Sequence, residues 1–277
     1  GFGDYEGLWI NPDAKVTDGE KKDAKAAPET RIPDKATAER VRDEVKGRPA
    51  RVAESTLEHK RFAPPQLFDL TSLQREANRK FGFSADKTLK LAQALYEEHK
   101  LLTYPRTDSR YLSHDMAGKV RKVISTLLGE YAQLAQPLNA LEKLPSSSRM
   151  YNDAKVTDHH AIIPTGNYAA LSRLNDRERR LFDLVARRLL SMHYPDYEYE
   201  SARIETRVGE DTFLSTGSTP LQEGWKAVYK DISPRKKSRD VLLPALNEGD
   251  TRTVRSARAV KSATKPPERL TDATLLS

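Results

Sequence analysis

The sequence predicts a multidomain α+β protein in which a helical domain is inserted into a β-rich one, and three observations carry that reading. Apolar residues recur at helical spacing between Thr71 and Met192 but alternate with a period of two after Pro195. Proline pairs at Pro64-Pro65 and Pro266-Pro267 punctuate the changes of texture. The composition is polar for 277 residues, with 37% hydrophobic and 31% charged residues and a mean hydropathy of -0.72, as suits a chain with long exposed surfaces. The boundaries fall at 1–63 and 195–264 for the two β-rich parts, 64–194 for the helical part and 265–277 for the start of a further domain.

In chain order, Phe2, Tyr5, Leu8, Trp9 and Ile10 form a short strand-like run without a start methionine, so the chain reads as a piece of something longer. Asp13 to Pro33 has no apolar period and is expected as a loop. Asp34 to Val45 has helical spacing that Gly47 stops, and Arg51 to Phe62 reads as a strand. Thr71-Ser72-Leu73-Gln74 is a capping-box pattern opening a helix to Lys80, and Ser84 caps a second to about His99, whose Ala85, Thr88, Leu91, Ala92, Leu95 and Tyr96 share a face. A strand over Leu101 to Tyr104 would complete a helix-turn-helix or winged-helix layout.

Asp115 to Leu128 places Met116, Val120, Val123 and Leu127 on one face, with Gly129 past its end. Pro145-Ser146-Ser147-Ser148 is a loop. Asn175-Asp176-Arg177-Glu178 caps a helix whose Leu181, Val185, Leu189 and Met192 face the core while its arginines face out. Strands are expected over 199–208, 212–215, 225–229 and 251–260, and a helix start over 269–277.

The net charge of +7 is unevenly spread. Basic clusters lie at Arg173 to Arg188, at Lys230 and Arg235 to Arg239, and at Arg252 to Lys265. Each alone reads as a solvated face; three on one basic chain favour a polyanion partner. Without cysteine there are no disulfides, thiolate metal sites or thiol catalysis. No apolar run approaches the ~18 residues that span a bilayer, and no signal-peptide layout is present, so no membrane association and a cytoplasmic location are expected.

The most informative stretch is Leu101 to Tyr111, which holds Tyr104-Pro105-Arg106-Thr107-Asp108-Ser109. A phenol can attack phosphorus while a guanidinium two residues on forks onto the non-bridging oxygens. Pro105 presses Tyr104 out of helical geometry, and Thr107, Asp108 and Ser109 suit a turn. The same residues also occur in ordinary loops. A second stretch, Asp158-His159-His160-Ala161-Ile162-Ile163-Pro164-Thr165, pairs two of the six histidines beside a carboxylate. Neighbours on an extended segment point to opposite sides, so one histidine can face a site while the other packs. Asp-His-His-Ala matches a signature of manganese phosphoesterases, yet the βαβ repeats that such sites need are not visible. A tyrosine recombinase would want an arginine three residues after a histidine, and a relaxase two histidines split by one residue; neither pattern is present.

Taken together in this order, the segments Leu67 to Asn78, Tyr104 to Ser109 and His159 to Thr165 strongly resemble type IA DNA topoisomerases, within them the bacterial topoisomerase III branch. Gly7 to Ile10 and Pro266 to Leu276 resemble the family's flanking segments. The resemblance implies a four-domain torus: a Toprim domain holding magnesium, a β-rich arch, a winged-helix-like (CAP-like) domain carrying the nucleophilic tyrosine, and a helical single-strand-binding domain. Nothing in the sequence resembles the Toprim acidic segment, so the expected piece is the arch and tyrosine domain.

The resemblance implies Tyr104 as nucleophile, Arg106 as positioning arginine and His159 as the active-site histidine. Thr107, Asp108 and Ser109 shape the loop and, with Gln74, His160 and Arg173, complete the implied DNA-binding set, His160 ranking below His159. It implies no metal site in this chain and Mg2+ bound by the Toprim domain. The implied partners are single-stranded DNA, the parent's Toprim domain and a helicase. The rival from another class is a non-catalytic winged-helix DNA-binding module whose Tyr104 stacks on bases.

Overall fold

The computed structural model describes residues 3–11, 31–32, 34–232, 243–263, 266 and 269–276. The expected loop over 13–33, apart from Arg31 and Ile32, lies outside them, as do the basic residues Arg235 to Arg239 and Lys265, and Pro267 and Glu268 of the flanking segment. Helices and an antiparallel sheet fall into two units. One is drawn from Gly1–Arg61, Glu198–Gln222 and Arg235–Pro266, the other from Phe62–Tyr197, Glu223–Pro234 and Pro267–Ser277.

The first unit holds β1 (Leu8–Trp9), α1 (Lys35–Val45), β2 (Pro49–Phe62), β3 (Tyr197–Val208), β4 (Asp211–Gln222) and β5 (Thr251–Thr253), the strands forming a sheet of order β1-β4-β3-β2-β5. Asp34 starts α1 by accepting from the Thr37 amide at 2.8 Å. Val41 and Val45 then bury one helix face against Ala50 and Val208. The β3–β4 hairpin pairs Val208 with Asp211, and its turn uses Gly209 at a φ of +62°, which a side chain would resist.

The second unit holds α2 (Leu70–Phe81), α3 (Ala85–Glu97), α4 (Ala117–Ser125), α5 (Glu130–Asn139), α6 (Asp176–Ser191) and α7 (Asp272–Leu275). One core runs from Leu67 and Phe68 through α2 to α6 and on to Val228. Leu181, Val185, Leu189 and Met192 are buried, and Asn175 with Glu178 closes the capping box of α6, as their spacing predicts.

Several expectations need correction. The cap of α2 is Asp69 with Ser72, not Thr71; the Asp69 carboxylate accepts from the Ser72 amide at 2.6 Å, and its charge suits a helix N-terminus better than a hydroxyl. The strand expected over 101–104 is a single bridge, Leu102 to Pro164, because Pro164 has no amide to extend a ladder. Residues 225–229 form a 3-10 turn over Gly224–Tyr229 instead of a strand. Gly224 enters it at a φ of +49°, where a Cβ would stand 2.2 Å from the Asp196 carbonyl oxygen.

The strand over 251–260 keeps only Thr251–Thr253, after which Val254 exchanges hydrogen bonds with Gly47 and Arg48 beyond the end of α1. The strand over 212–215 extends to Gln222 as β4. The helix over 115–128 splits into a 3-10 turn, His114–Met116, and α4. Gly129 is the N-cap of α5, a helix absent from the sequence reading, rather than an isolated stop. Arg187 faces inward and is fully buried, whereas Arg177, Arg179 and Arg180 face out as expected.

His193, just past α6, is 1% exposed. Its Nδ1 donates to the Pro145 carbonyl at 2.9 Å, and burial pushes its pKa down to about 4. The unfolded imidazole titrates near 6.5, so below that pH the unfolded chain binds the proton and the folded one does not. The contribution is complete above pH 6.5 and is lost as the pH falls toward 4. Between pH 7 and 5 the unfolding free energy drops by about 2 kcal/mol from this group. Urea midpoints at the two pH values check it: His193→Gln flattens the dependence, and an unchanged dependence refutes it.

Candidate active site

The segment 101–111 leaves α3 through Lys100 and is fastened on both sides. Leu101 and Leu102 are fully buried. The Thr103 amide donates to the Ile163 carbonyl at 2.9 Å, and the Thr165 amide to the Leu101 carbonyl at 3.0 Å. From Pro105 burial alternates: Pro105, Thr107 and Ser109 are buried, Arg106 and Asp108 exposed.

The two buried hydroxyls hold the loop to the histidine segment. Thr107 Oγ1 donates to the His159 carbonyl at 3.2 Å and accepts from the Ser109 amide at 3.1 Å. Ser109 Oγ donates to the Lys155 carbonyl at 2.8 Å. The Thr107 carbonyl takes the Leu70 amide at 3.0 Å, so the first residue of α2 also pins the loop. Arg110 Nε donates to Asp69 Oδ2 at 2.7 Å, and Asp69, 8% exposed, serves both this contact and the cap of α2.

This frame aims one phenol. The Tyr104 ring lies 4.4 Å from the His159 ring at 44° and meets the edge of Tyr96 at 5.5 Å and 78°. Its half-buried side chain enters no hydrogen bond among the described residues. Tyr111, the other phenol of the motif, is engaged differently, since Lys155 Nζ donates to its hydroxyl at 3.2 Å. Arg106 enters no ion pair among the described residues. A free phenolic oxygen, an imidazole against its ring and an uncommitted guanidinium two residues on suit attack on a phosphodiester.

The other sequence candidates are distributed unevenly. His159 is exposed beside Tyr104, while His160 is half-buried and donates from Nδ1 to the Ala161 carbonyl at 2.7 Å. Gln74 donates its amide to the Ala85 carbonyl at 3.0 Å, tying α2 to α3. Arg173 ends the short turn Leu171–Arg173 and is exposed, with no contact to Tyr104, Arg106 or His159 among the described residues. Among the described residues no group of three or more His, Asp or Glu side chains could hold a metal ion, nor is any helix long and apolar enough to cross a membrane. Sequence reasoning missed Tyr96 and the Asp69–Arg110 pair. Tyr96 sits in the last turn before the motif, a position that could have marked it.

A family model described as DNA topoisomerase matches residues 9–277. The chain is 42% identical over 258 residues to "DNA topoisomerase 3" of Bacillus subtilis (strain 168), covering 91% of this chain and 35% of that protein. It is 44% identical over 234 residues to "DNA topoisomerase 3" of Bacillus anthracis, covering 82% of this chain and 32% of that protein. The chain thus spans about a third of the length of the curated relatives it matches. Among solved structures, it is similar to full-length topoisomerase I from Thermotoga maritima, with a TM-score of 0.65 and 27% identity, covering 92% of this chain and 40% of that one.

Proposed function

Because the chain belongs to the type IA bacterial DNA topoisomerase family, in its topoisomerase III-like part, we propose that it carries the tyrosine half of a single-strand cleavage site. Tyr104 attacks a phosphodiester of single-stranded DNA, its phenolic oxygen forming a bond to phosphorus as the bond to the 3′-oxygen breaks. The phenolic proton leaves and the 3′-oxygen gains one. The product is a 5′-phosphotyrosyl link that keeps the energy of the broken bond, so reversal reseals the strand without ATP. Strand passage between the two steps relaxes or decatenates DNA.

Each residue has a distinct part in this reading. Arg106 grips the non-bridging oxygens and stabilises charge as it develops in the transition state. His159, whose ring packs against that of Tyr104, orients the phenol and hydrogen-bonds the phosphate in this reading. Thr107 and Ser109 keep the loop attached to the histidine segment, while Asp108, Gln74, His160 and Arg173 are secondary DNA contacts. A Toprim domain of the parent protein supplies the general acid and holds magnesium, whose chemistry is to neutralise phosphate charge. The sheet unit contributes to the β-rich arch of a toroidal enzyme and the helical unit to the winged-helix-like domain, with domains at 1–63, 64–194, 195–264 and 265–277. A cytoplasmic, nucleoid-associated setting and a helicase partner complete the reading.

The observation that supports this most is the unbonded Tyr104 side chain held between His159 and Tyr96. The same contacts weigh against a purely base-stacking tyrosine, since they already occupy the ring. The test is a labelled single strand incubated with magnesium and the parent protein, then denatured to reveal covalent adduct. His159→Ala lowers the adduct by about tenfold or more, and His160→Ala by less than about threefold. The opposite ranking would show that the wrong member of the pair faces the phosphate.

A further inference from the structure

Lys100 is the only non-glycine with a positive φ among the described residues, at 56°. An L side chain is disfavoured in that conformation and glycine is the usual occupant, above all just beyond a helix. The backbone there is fixed by the helix end, where the Leu101 amide donates to the Leu95 carbonyl at 2.8 Å, and by Thr165 Oγ1, which donates to the Lys100 carbonyl at 2.7 Å. A lysine in this place therefore carries a cost that its side chain must justify, and such outliers gather at functional sites.

The side chain does not serve the helix end in the ordinary way. Its ammonium makes no hydrogen bond to the last carbonyls of α3 and no ion pair with Glu97 or Glu98 among the described residues. It lies over the Tyr96 ring, 5.8 Å from the centroid, and Tyr96 in turn presents its edge to Tyr104. Two exposed, acid-free cations thus flank the phenol: Arg106 along the chain, and Lys100 one ring away on the α3 side.

We propose that Lys100 binds a backbone phosphate of the single strand next to the one that Tyr104 attacks. This rests on the reading of Tyr104 as the nucleophile. The strand then runs past Tyr96, with one phosphate on Arg106 and a flanking one on Lys100. The ligand is the phosphodiester itself, so the contact is independent of base sequence.

The test uses this chain and a fluorescein-labelled oligodeoxythymidylate, with affinity measured at several salt concentrations. Lys100→Gly weakens binding by about fivefold at low salt and lowers the steepness of the log affinity against log salt plot by about 0.7. It leaves the melting temperature unchanged or raises it by about 2–4 °C, because glycine fits the backbone, while Lys100→Arg keeps affinity and slope. A Lys100→Gly variant with the wild-type salt slope overturns the assignment. So does a joint fall of melting temperature and affinity, which would make the lysine a helix-end residue. The catalytic reading has its own readout: a parent protein that forms no adduct through Tyr104 sinks that reading and leaves the slope change standing.

Discussion

Tyr104→Phe eliminates the covalent protein–DNA adduct, lowering it by more than about 10³-fold, while non-covalent binding of a single strand stays within about twofold. The change removes one oxygen and nothing else that the fold uses. The ring keeps its contacts with His159 at 4.4 Å and Tyr96 at 5.5 Å. Because the hydroxyl has no hydrogen-bond partner among the described residues, the stability should move by no more than about 0.5 kcal/mol. The other phenol of the motif, Tyr111, accepts from Lys155 Nζ at 3.2 Å, whereas the ring that meets His159 is that of Tyr104. Adduct on denaturing gels and oligonucleotide binding by anisotropy, measured on the same preparations, decide the matter. Adduct surviving in the variant would place the nucleophile elsewhere, and a parallel loss of binding would make Tyr104 a DNA contact.

Much of this site was legible because its chemistry is contiguous in the chain. Tyr104 and Arg106 stand two residues apart around a proline that keeps Tyr104 out of helical geometry, Tyr104 half-buried and Arg106 exposed. His159 was legible as one of a pair, and the structure separates the two: its ring meets Tyr104, whereas His160 bonds its own neighbour's carbonyl. What sequence could not give were the contacts made at long separation. Tyr96 looked like part of a helix core face, and only the packing of α3 beside the loop turns its ring toward Tyr104. The Arg110–Asp69 pair spans 41 residues, so neither member signals the other.

The fold divides in the same way. Strong 3.6-residue periods located α1, α2, α3 and α6, because each buries a stripe. The β-branched and aromatic run at 225–229 misread as strand, since the deciding constraint is the close approach of Gly224 to the Asp196 carbonyl, which no local pattern encodes. Helix α5 escaped because Gly129 looked like a terminator, whereas it is the N-cap of a helix that carries Pro137 inside it. Arg187 escaped because charged residues on a helix are almost always solvated, and two of the three acids that pair with it, Glu130 and Asp231, come from other elements.

That residue gives the largest expected effect on stability. Arg187 is fully buried on α6 and bonds Asp183 at 2.7 Å, the Val228 carbonyl at 2.6 Å, Asp231 at 2.8 and 2.9 Å, and Glu130 at 2.9 Å. Burial opposes its charge, but Asp183 and Asp231 outweigh burial and hold the guanidinium above its ordinary range. One planar group thereby joins α5, α6 and the Gly224–Tyr229 turn. Arg187→Met keeps volume and removes all these bonds. Asp231 and Glu130 are more than half exposed and can rehydrate; Asp183, 16% exposed, cannot do so fully. The expected loss is therefore at the lower end for a broken buried ion pair, about 3 kcal/mol, or roughly 6–12 °C in melting temperature. If the orphaned carboxylate is the main penalty, adding Asp183→Asn to Arg187→Met restores part of the loss, a coupling that a double-mutant cycle measures. Arg187→Lys recovers little, because a single ammonium cannot span acids on three sides. A loss below about 1 kcal/mol in Arg187→Met would mean that the network contributes no more than a surface pair, and that the apolar core alone holds these elements together.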